Sequence, residues 1–130
     1  MDGFLFRSKD DKRREFSVNN MDKLIDQYVD VAINSGKAKE EGDYKSVNSY
    51  YDIIQRIRIE MKKDPQYVVK LEPLLQHDNE YVRLEAAFDL LPILSERAEN
   101  VLSELSKKRG LNGFEAEMTL QEWKKGNLRF

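Results

Sequence analysis

The sequence predicts an all-α protein built from about three helical hairpins, each made of two antiparallel helices. Apolar residues recur at three- and four-residue spacing along most of the 130-residue chain, which is the period of an amphipathic helix. Glycines and an Asp–Pro pair separate the periodic segments, and these residues end or start helices. Hydrophobic residues make up 40% and charged residues 35% of the chain, a balance that suits helices with one buried and one solvated face.

Residues 1–18 differ from the rest of the chain. Phe4, Leu5 and Phe6 precede a dense cluster of charges over residues 9–15, and no helical stripe is sustained there. We interpret this stretch as a loosely ordered N-terminal extension, and the alternative is an arm that binds a partner. Residues 19–130 are predicted to form a single helical domain.

The first hairpin is predicted on either side of Gly42. Its first helix should start near Asn19 or Asn20, which can cap free amide groups, and should run to about Glu41. The stripe of this helix consists of Met21, Leu24, Ile25, Tyr28, Val31 and Ala32. Gly42 ends the helix and Asp43 can cap the next one. The stripe of the second helix consists of Val47, Tyr50, Tyr51, Ile54, Ile57 and Met61.

The second hairpin begins at Asp64 and Pro65, a cap followed by the residue preferred at the first helical position. A short third helix carries Val68, Leu71, Leu74 and Leu75. Pro73 should bend this helix because it removes one backbone donor. Asp78 is predicted to cap the fourth helix. The stripe of the fourth helix consists of Val82, Ala86, Ala87, Leu90, Leu91 and Leu94.

The third hairpin follows Ser95, which is predicted to cap the fifth helix and to precede Ala98, Val101, Leu102 and Leu105. This helix should end in the basic run over residues 107–109, before Gly110. The sixth helix is expected to follow Asn112 and Gly113. It carries Phe114, Met118, Leu120 and Trp123. We expect Trp123 to pack in the core, and the alternative is a surface anchor for a partner.

The most specific pattern spans residues 71–91. It consists of Leu71, Leu74, Leu75, Asp78, Val82, Arg83, Ala86, Ala87, Leu90 and Leu91 at set spacings. Paired alanines let two helices approach closely, and Arg83 can bind carboxylate or backbone oxygens beneath the turn. The pattern resembles a HEAT repeat, in which paired leucines end an outer helix and Val-Arg opens the inner helix. The resemblance implies a short HEAT-like right-handed α-α superhelix and says almost nothing about function.

Two further stretches resemble the same kind of protein. One is Gly36–Ile57, with Glu41-Gly42-Asp43-Tyr44 at its turn, and the other is Gly113–Trp123. Over about residues 20–126 the chain resembles a HEAT-like family of short bacterial proteins of unknown function. A shift of 32 residues places Glu115 where Arg83 stands, so the last unit is degenerate, as terminal repeats often are. The family implies no catalytic residues.

Composition and motifs argue against catalysis. The chain has no Cys, which excludes disulfides, thiolate metal sites and thiol catalysis. His77 is the only histidine, so a zinc site would need carboxylates, and a turn residue is the simpler interpretation. The sequence contains no GxSxG, P-loop, GxGxxG or HExxH motif. We therefore predict no enzyme, no metal and no cofactor, and the lack of a long apolar run predicts a cytoplasmic protein with no membrane partner.

The concave face of such a stack carries the candidate binding residues. In HEAT-like stacks the second helix of each pair lines this face, so the even-numbered helices should supply it. The candidates are Tyr44, Asn48, Asp52, Tyr81, Glu85, Phe88, Asp89, Glu117 and Gln121. Of the adjacent Tyr50 and Tyr51, one should pack in the core and the other should join this face. Aromatic side chains among carboxylates suit an interface for a basic protein segment, and the alternative is an ordinary charged face with partly buried tyrosines.

The predicted function is that of a non-enzymatic protein-binding module. A narrower alternative is a bacterial immunity protein that neutralises a cognate toxin, because an acidic surface can mimic nucleic acid and steer fast association. A different alternative is a nucleic-acid-binding HEAT-like protein. The net charge of −2 disfavours it, since phosphate backbones attract a basic excess. The only basic material for it is Lys107, Lys108, Arg109, Lys124, Lys125 and Arg129.

Overall fold

The computed structural model describes residues 18–130, and every regular element in that range is a helix. The elements are α1 (Val18–Glu41), α2 (Tyr44–Met61), α3 (Pro65–Val69), a 3-10 helix (Glu72–Gln76), α4 (Glu80–Leu90), α5 (Ser95–Ser106) and α6 (Leu111–Lys125). The predicted all-α class is therefore confirmed for these residues. The predicted extension over residues 1–18 lies outside the described range, except for Val18, which already belongs to α1.

The first and last helix pairs form as the sequence predicts. Gly42 separates α1 from α2 with a left-handed φ of 73°, and Asp43 caps α2 by accepting a hydrogen bond from the Ser46 backbone N–H at 3.2 Å. Gly110, with φ 94°, separates α5 from α6. A positive φ strains a residue that has a Cβ, so glycine suits these turns. The short connections make each pair antiparallel.

The predicted third helix is divided into two short elements. Asp64 caps α3 by accepting from the Gln66 backbone N–H at 2.9 Å, and Pro65 occupies the first helical position. The chain then continues into the 3-10 helix, which contains Pro73. Because proline lacks a backbone N–H, a continuous α-helix through Pro73 would lose a hydrogen bond. Leu71 and Leu75 nevertheless face the core, as the periodicity predicts.

Two predicted caps are wrong. Asn79, and not Asp78, caps α4, because its side chain accepts hydrogen bonds from the backbone N–H groups of Tyr81 at 2.8 Å and Val82 at 3.2 Å. Asp78 lies one residue too early to occupy the cap position. Ser95 is the first residue of α5, and its hydroxyl donates to the Leu91 carbonyl oxygen at 2.6 Å.

The last helix starts earlier than the sequence suggests. Asn112 and Gly113 are buried in the first turn of α6 and do not precede it. A Cβ on Gly113 would collide with the carbonyl oxygen of Lys108, so the glycine permits a close approach of α6 to the end of α5. Of the apolar residues that this helix carries, Phe114 and Met118 do not pack in the core, since they are 61% and 38% exposed.

One hydrophobic core joins the elements, and α4 lies at its centre. This helix packs against α1, α3, the 3-10 helix, α5 and α6. Ala86 and Ala87 are fully buried, and their small side chains allow neighbouring helices to approach α4 closely. Among the helices of residues 18–130, none has the length and apolar character of a membrane span.

Candidate functional site

A buried group of charged and polar side chains connects α1, α2 and α4. Arg58 Nε donates to Asp89 Oδ1 at 2.8 Å and to Oδ2 at 3.0 Å, and Arg58 Nη2 donates to Glu85 Oε1 at 2.6 Å. The Tyr28 hydroxyl donates to Asp89 Oδ2 at 2.6 Å. We call these four residues the Arg58 cluster. A buried charge is costly unless it is paired and hydrogen-bonded, and here each charge has a partner.

Burial and charge pairing shift the pKa values within the Arg58 cluster. Burial raises the pKa of Asp89, while the positive charge of Arg58 and the hydrogen bond from Tyr28 oppose this effect. The pKa of Tyr28 lies well above its ordinary value, first because of burial and then because of the Asp89 charge. Burial lowers the pKa of Arg58, but Asp89 and Glu85 outweigh it, so the pKa is raised. Arg58 therefore keeps the positive charge that a guanidinium normally carries in proteins.

A groove of about 240 Å³ opens beside the Arg58 cluster. Residues from α1, α2, α4 and α6 line it. They are Val31, Ala32, Ser35, Lys39, Val47, Tyr50, Tyr51, Ile54, Arg58, Leu84, Glu85, Phe88, Glu115 and Thr119. We refer to this cavity as the groove. The even-numbered helices α2, α4 and α6 contribute to it, and α1 contributes as well, which the sequence did not predict.

Exposed apolar side chains flank the groove on two helices. On α2, Tyr51 lines the groove and is 56% exposed, and Tyr44 is 67% exposed. The two tyrosines are seven residues apart, so they lie on the same side of the helix. On α6, the exposed Leu111 lies four residues before Glu115, and the exposed Met118 lies three residues after it. At these spacings both are surface neighbours of Glu115 on the helix. Apolar surface on α2 and α6 therefore borders the groove.

The charges that line the groove are paired within the protein. Glu85 accepts from Arg58, as described above, and Lys39 Nζ lies 3.2 Å from Glu115 Oε2. The Arg58 guanidinium also lies over the Phe88 ring, 5.2 Å from its centroid, a favourable cation–π arrangement. Two cations thus balance two carboxylates, and the groove is close to neutral.

Three of the predicted site residues share one face of α4. Tyr81, Glu85 and Phe88 follow each other at four- and three-residue spacing, and the last two line the groove. Tyr81 packs over Gly36 of α1, and its hydroxyl donates to Glu40 Oε2 at 3.1 Å. Asp89 is only 7% exposed, so it supports the site through Arg58 and is not itself a surface contact.

The remaining predicted site residues are exposed and do not line the groove, although Tyr44 lies beside it. Tyr44, Asn48 and Asp52 lie along the exposed part of α2. Glu117 and Gln121 are exposed on α6 and do not line the groove. Glu117 follows the groove residue Glu115 by two positions, and Gln121 follows the groove residue Thr119 by two positions. Two positions on a helix correspond to a rotation of about 200°. Glu117 and Gln121 therefore lie on another face of α6 than the residues that line the groove.

The residues of the repeat motif have the predicted structural roles, with the exception of Asp78. Arg83 Nη1 donates to the carbonyl oxygen of His77 at 2.6 Å and to that of Asp78 at 3.1 Å. Val82, Ala86 and Ala87 are fully buried. His77 Nδ1 accepts from the Asn79 backbone N–H at 3.0 Å, so it takes part in the turn before α4. Within residues 18–130, no group of three His, Asp or Glu side chains is arranged to hold a metal ion.

The basic residues considered for nucleic-acid binding are divided between two ends of a helix pair. Residues 107–109 end α5, next to the start of α6, whereas Lys124 and Lys125 lie at the other end of α6. Fifteen helical residues separate these ends by about 20 Å. Lys108 Nζ also lies 2.6 Å from Glu80 Oε2. The two groups do not form one continuous basic surface.

The fold is similar to that of a solved bacterial protein, RPA1889 from Rhodopseudomonas palustris CGA009. Its crystal structure superimposes with a TM-score of 0.79 over 89% of this chain and 95% of that chain, at 20% sequence identity. At this identity the likeness shows a shared fold alone. No family model matches the sequence, and no curated protein matches it.

Proposed function

We propose that this chain is a non-enzymatic protein-binding module and that its groove receives an apolar segment of a partner protein. The observation that carries the proposal is the exposed apolar surface on both sides of the groove. Tyr44 and Tyr51 lie on α2, and Leu111 and Met118 lie on α6. Exposed apolar residues that surround a concave site mark interaction surfaces more often than scattered ones do, and tyrosine is enriched at binding hot spots.

The chemistry of the groove also indicates what the partner carries. Glu85 and Glu115 are already paired with Arg58 and Lys39, so a cation from the partner would have to compete for them. Apolar and aromatic anchors therefore supply the affinity. Basic residues of the partner act outside the groove, at exposed carboxylates such as Glu40 and Asp52. Rim charges contribute mainly to the rate of association and to specificity.

We also infer that the three helix pairs form a short right-handed HEAT-like stack. Three features support this inference: Arg83 binds the carbonyl oxygens of the turn before α4, Ala86 and Ala87 are fully buried, and α4 packs on both helices of the following pair. In such a stack, a binding groove on the concave side is common. A crystal structure in which successive pairs rotate with a left-handed sense would contradict the inference.

Site-specific photo-crosslinking tests the binding site directly. A benzophenone amino acid replaces Tyr51 in one variant and Ile59 in another, and both are expressed in the cells that produce the protein. Ile59 is a matched control because it is an apolar residue of the same helix, 63% exposed, and does not line the groove. We expect a crosslinked partner from position 51 and none from position 59.

The purified partner then distinguishes the functions. Tyr51→Ala should weaken its binding at least tenfold, the effect of a hot spot of about 2 kcal/mol, while Ile59→Ala should leave the affinity unchanged. If both substitutions weakened binding equally, the groove would not be the site. A partner that is toxic when it is expressed alone would identify the immunity function, and recovery of nucleic acid in place of a protein would contradict the proposal.

A further inference from the structure

A second cavity, of about 190 Å³, lies next to the Arg58 cluster and shares only Arg58 with the groove. Seven apolar and three charged residues line it. They are Met61, Pro65, Val68, Leu71, Pro92, Ile93 and Phe130, together with Arg58, Lys62 and Asp89. We refer to this cavity as the Met61 pocket. Apart from Arg58, its lining residues differ from those of the groove.

The walls of the Met61 pocket come from segments where helices end and begin. α2 ends at Met61, α3 begins at Pro65, and Pro92 follows the end of α4. The ring of proline restricts the backbone φ angle, so two of these wall segments are held in shape without a ligand. Met61 and Leu71 are almost fully buried. The pocket is therefore largely preformed, as small-molecule sites usually are.

The size and lining of the pocket favour one aromatic ring. A dry apolar cavity of about 150 Å³ is large enough to bind benzene, and this pocket is moderately larger. The thioether of Met61 is buried against it, and sulfur makes favourable contacts with the edges of aromatic rings. Phe130, which packs on Phe88 at 5.1 Å and on Trp123 at 6.1 Å between ring centroids, adds an aromatic side.

The charges of the pocket favour a ligand with a negative group. Arg58 and Asp89 neutralise each other at hydrogen-bonding distance. Arg58 is also bound to Glu85, so Lys62, which is exposed at the end of α2, is the cation of the lining that a ligand can reach. A ligand with a ring in the apolar part and a short chain that ends in a carboxylate satisfies both the apolar lining and this cation.

We propose that the Met61 pocket binds a small aromatic carboxylate, with the ring against Met61 and Val68 and the carboxylate near Lys62. This site is independent of the protein-binding groove, and either can exist without the other. The affinity expected for a ligand of this size in a half-open pocket corresponds to a Kd of about 1 mM.

Methionine methyl NMR provides the test, with 3-phenylpropionate as the probe. The full chain contains four methionines, and Met61→Leu assigns the resonance of interest. Met21 lies in the core of α1 and Met118 is exposed on α6, so both serve as internal references. We expect the Met61 methyl signal to shift and saturate on titration while the signals of Met21 and Met118 remain in place.

Two adjacent lysines separate charge recognition from general effects. Lys62→Met should weaken binding of 3-phenylpropionate about fivefold, the effect of an exposed ion pair of about 1 kcal/mol. Lys63→Met is the matched control, because Lys63 is also exposed but lies 2.9 Å from Glu60 and does not line the pocket. Ile93→Trp should abolish binding, since Ile93 is 40% exposed and the larger ring can occupy the pocket without disturbing the core.

Three results would overturn the proposal. The first is an unchanged Met61 signal in the presence of excess 3-phenylpropionate. The second is equal affinity for 3-phenylpropionate and for 3-phenylpropanol, which has the same ring and chain but no charge. The third is an equal loss of affinity in Lys62→Met and Lys63→Met, which would show that the lysine effect does not come from the pocket.

Discussion

Arg58 and Asp89 form a buried ion pair that joins the last turn of α2 to the last turn of α4, with Arg58 Nε 2.8 Å from Asp89 Oδ1. Their side chains are 11% and 6% exposed. Tyr28 adds a hydrogen bond from α1, so three helices meet at one carboxylate. Arg58 is also the residue that borders both the groove and the Met61 pocket. Arg58 is therefore the one lining residue that the two cavities have in common.

Breaking this ion pair should destabilise the protein more than replacing both of its members. Arg58→Met leaves the buried Asp89 carboxylate without its cation and should lower the free energy of unfolding by about 3–5 kcal/mol. Asp89→Leu should lower it by less, because Arg58 remains paired with Glu85. The double variant should lose clearly less than the sum of the two. Urea unfolding measures all three, and Lys45→Met, an exposed residue of α2, should change stability by less than about 0.5 kcal/mol. Additive losses would show that the two side chains do not interact.

Gly36 should tolerate a side chain only when Tyr81 is made smaller. A Cβ at position 36 would collide with the Tyr81 ring, so Gly36→Ala should cost about 1–3 kcal/mol, as overpacking does. In a Tyr81→Ala background the same change should be neutral or should stabilise the protein by up to about 1 kcal/mol, because alanine has a higher helix propensity than glycine. Urea unfolding of the four chains gives the comparison. The same cost in both backgrounds would show that the tyrosine ring does not contact Gly36.

The cap of α4 can be assigned by two neighbouring substitutions. Asn79→Ala removes the acceptor of two backbone N–H groups and should lower stability by about 1 kcal/mol. Asp78→Ala is the matched control and should change it by less than about 0.5 kcal/mol. Thermal and urea unfolding measure both. A larger loss for Asp78→Ala would restore the assignment that the repeat motif suggested.

Tyr81 should make stability sensitive to alkaline pH. Burial, followed by the hydrogen bond to Glu40, raises its pKa from the ordinary value of 10.0 to about 12. The folded protein therefore holds this proton more tightly than the unfolded chain does. The stability that the protonated Tyr81 hydroxyl contributes is fully present below pH 10 and is lost as the pH rises from about 10 to about 12. The stability difference between the wild type and Tyr81→Phe should shrink over this interval, and a constant difference would contradict the shift.

Local signals explain what the sequence predicted correctly. Asp43 and Asp64 cap helices with side chains that reach backbone groups two or three residues away, and Gly42 adopts the positive φ that ends a helix with little strain. The periodic stripes of α1 and α2 also identified most of the residues that these two helices contribute to the core. These features depend on neighbours in the sequence, so they can be recognised without the fold.

Candidate site residues were harder to predict because a site depends on helix register and on distant partners. The residues 81, 85 and 88 share a face of α4 as expected, and Tyr51 is exposed while Tyr50 packs against the core. In contrast, Glu117 and Gln121 lie on another face of α6 than the groove residues Glu115 and Thr119. The face that a helix turns toward its neighbours is decided by packing between helices, which the sequence pattern of α6 did not reveal.

The sequence by itself determined the helices, most of their ends and the faces that are buried, since spacing, caps and glycines act within a few residues. Only the tertiary structure decided that Arg58 meets Asp89, that α1 contributes to the groove and that Phe114 and Met118 are exposed. The physical reason is the same in each case. The partner of a buried charge and the face that a helix buries both depend on which surfaces pack together. These surfaces come from parts of the chain that are far apart in sequence.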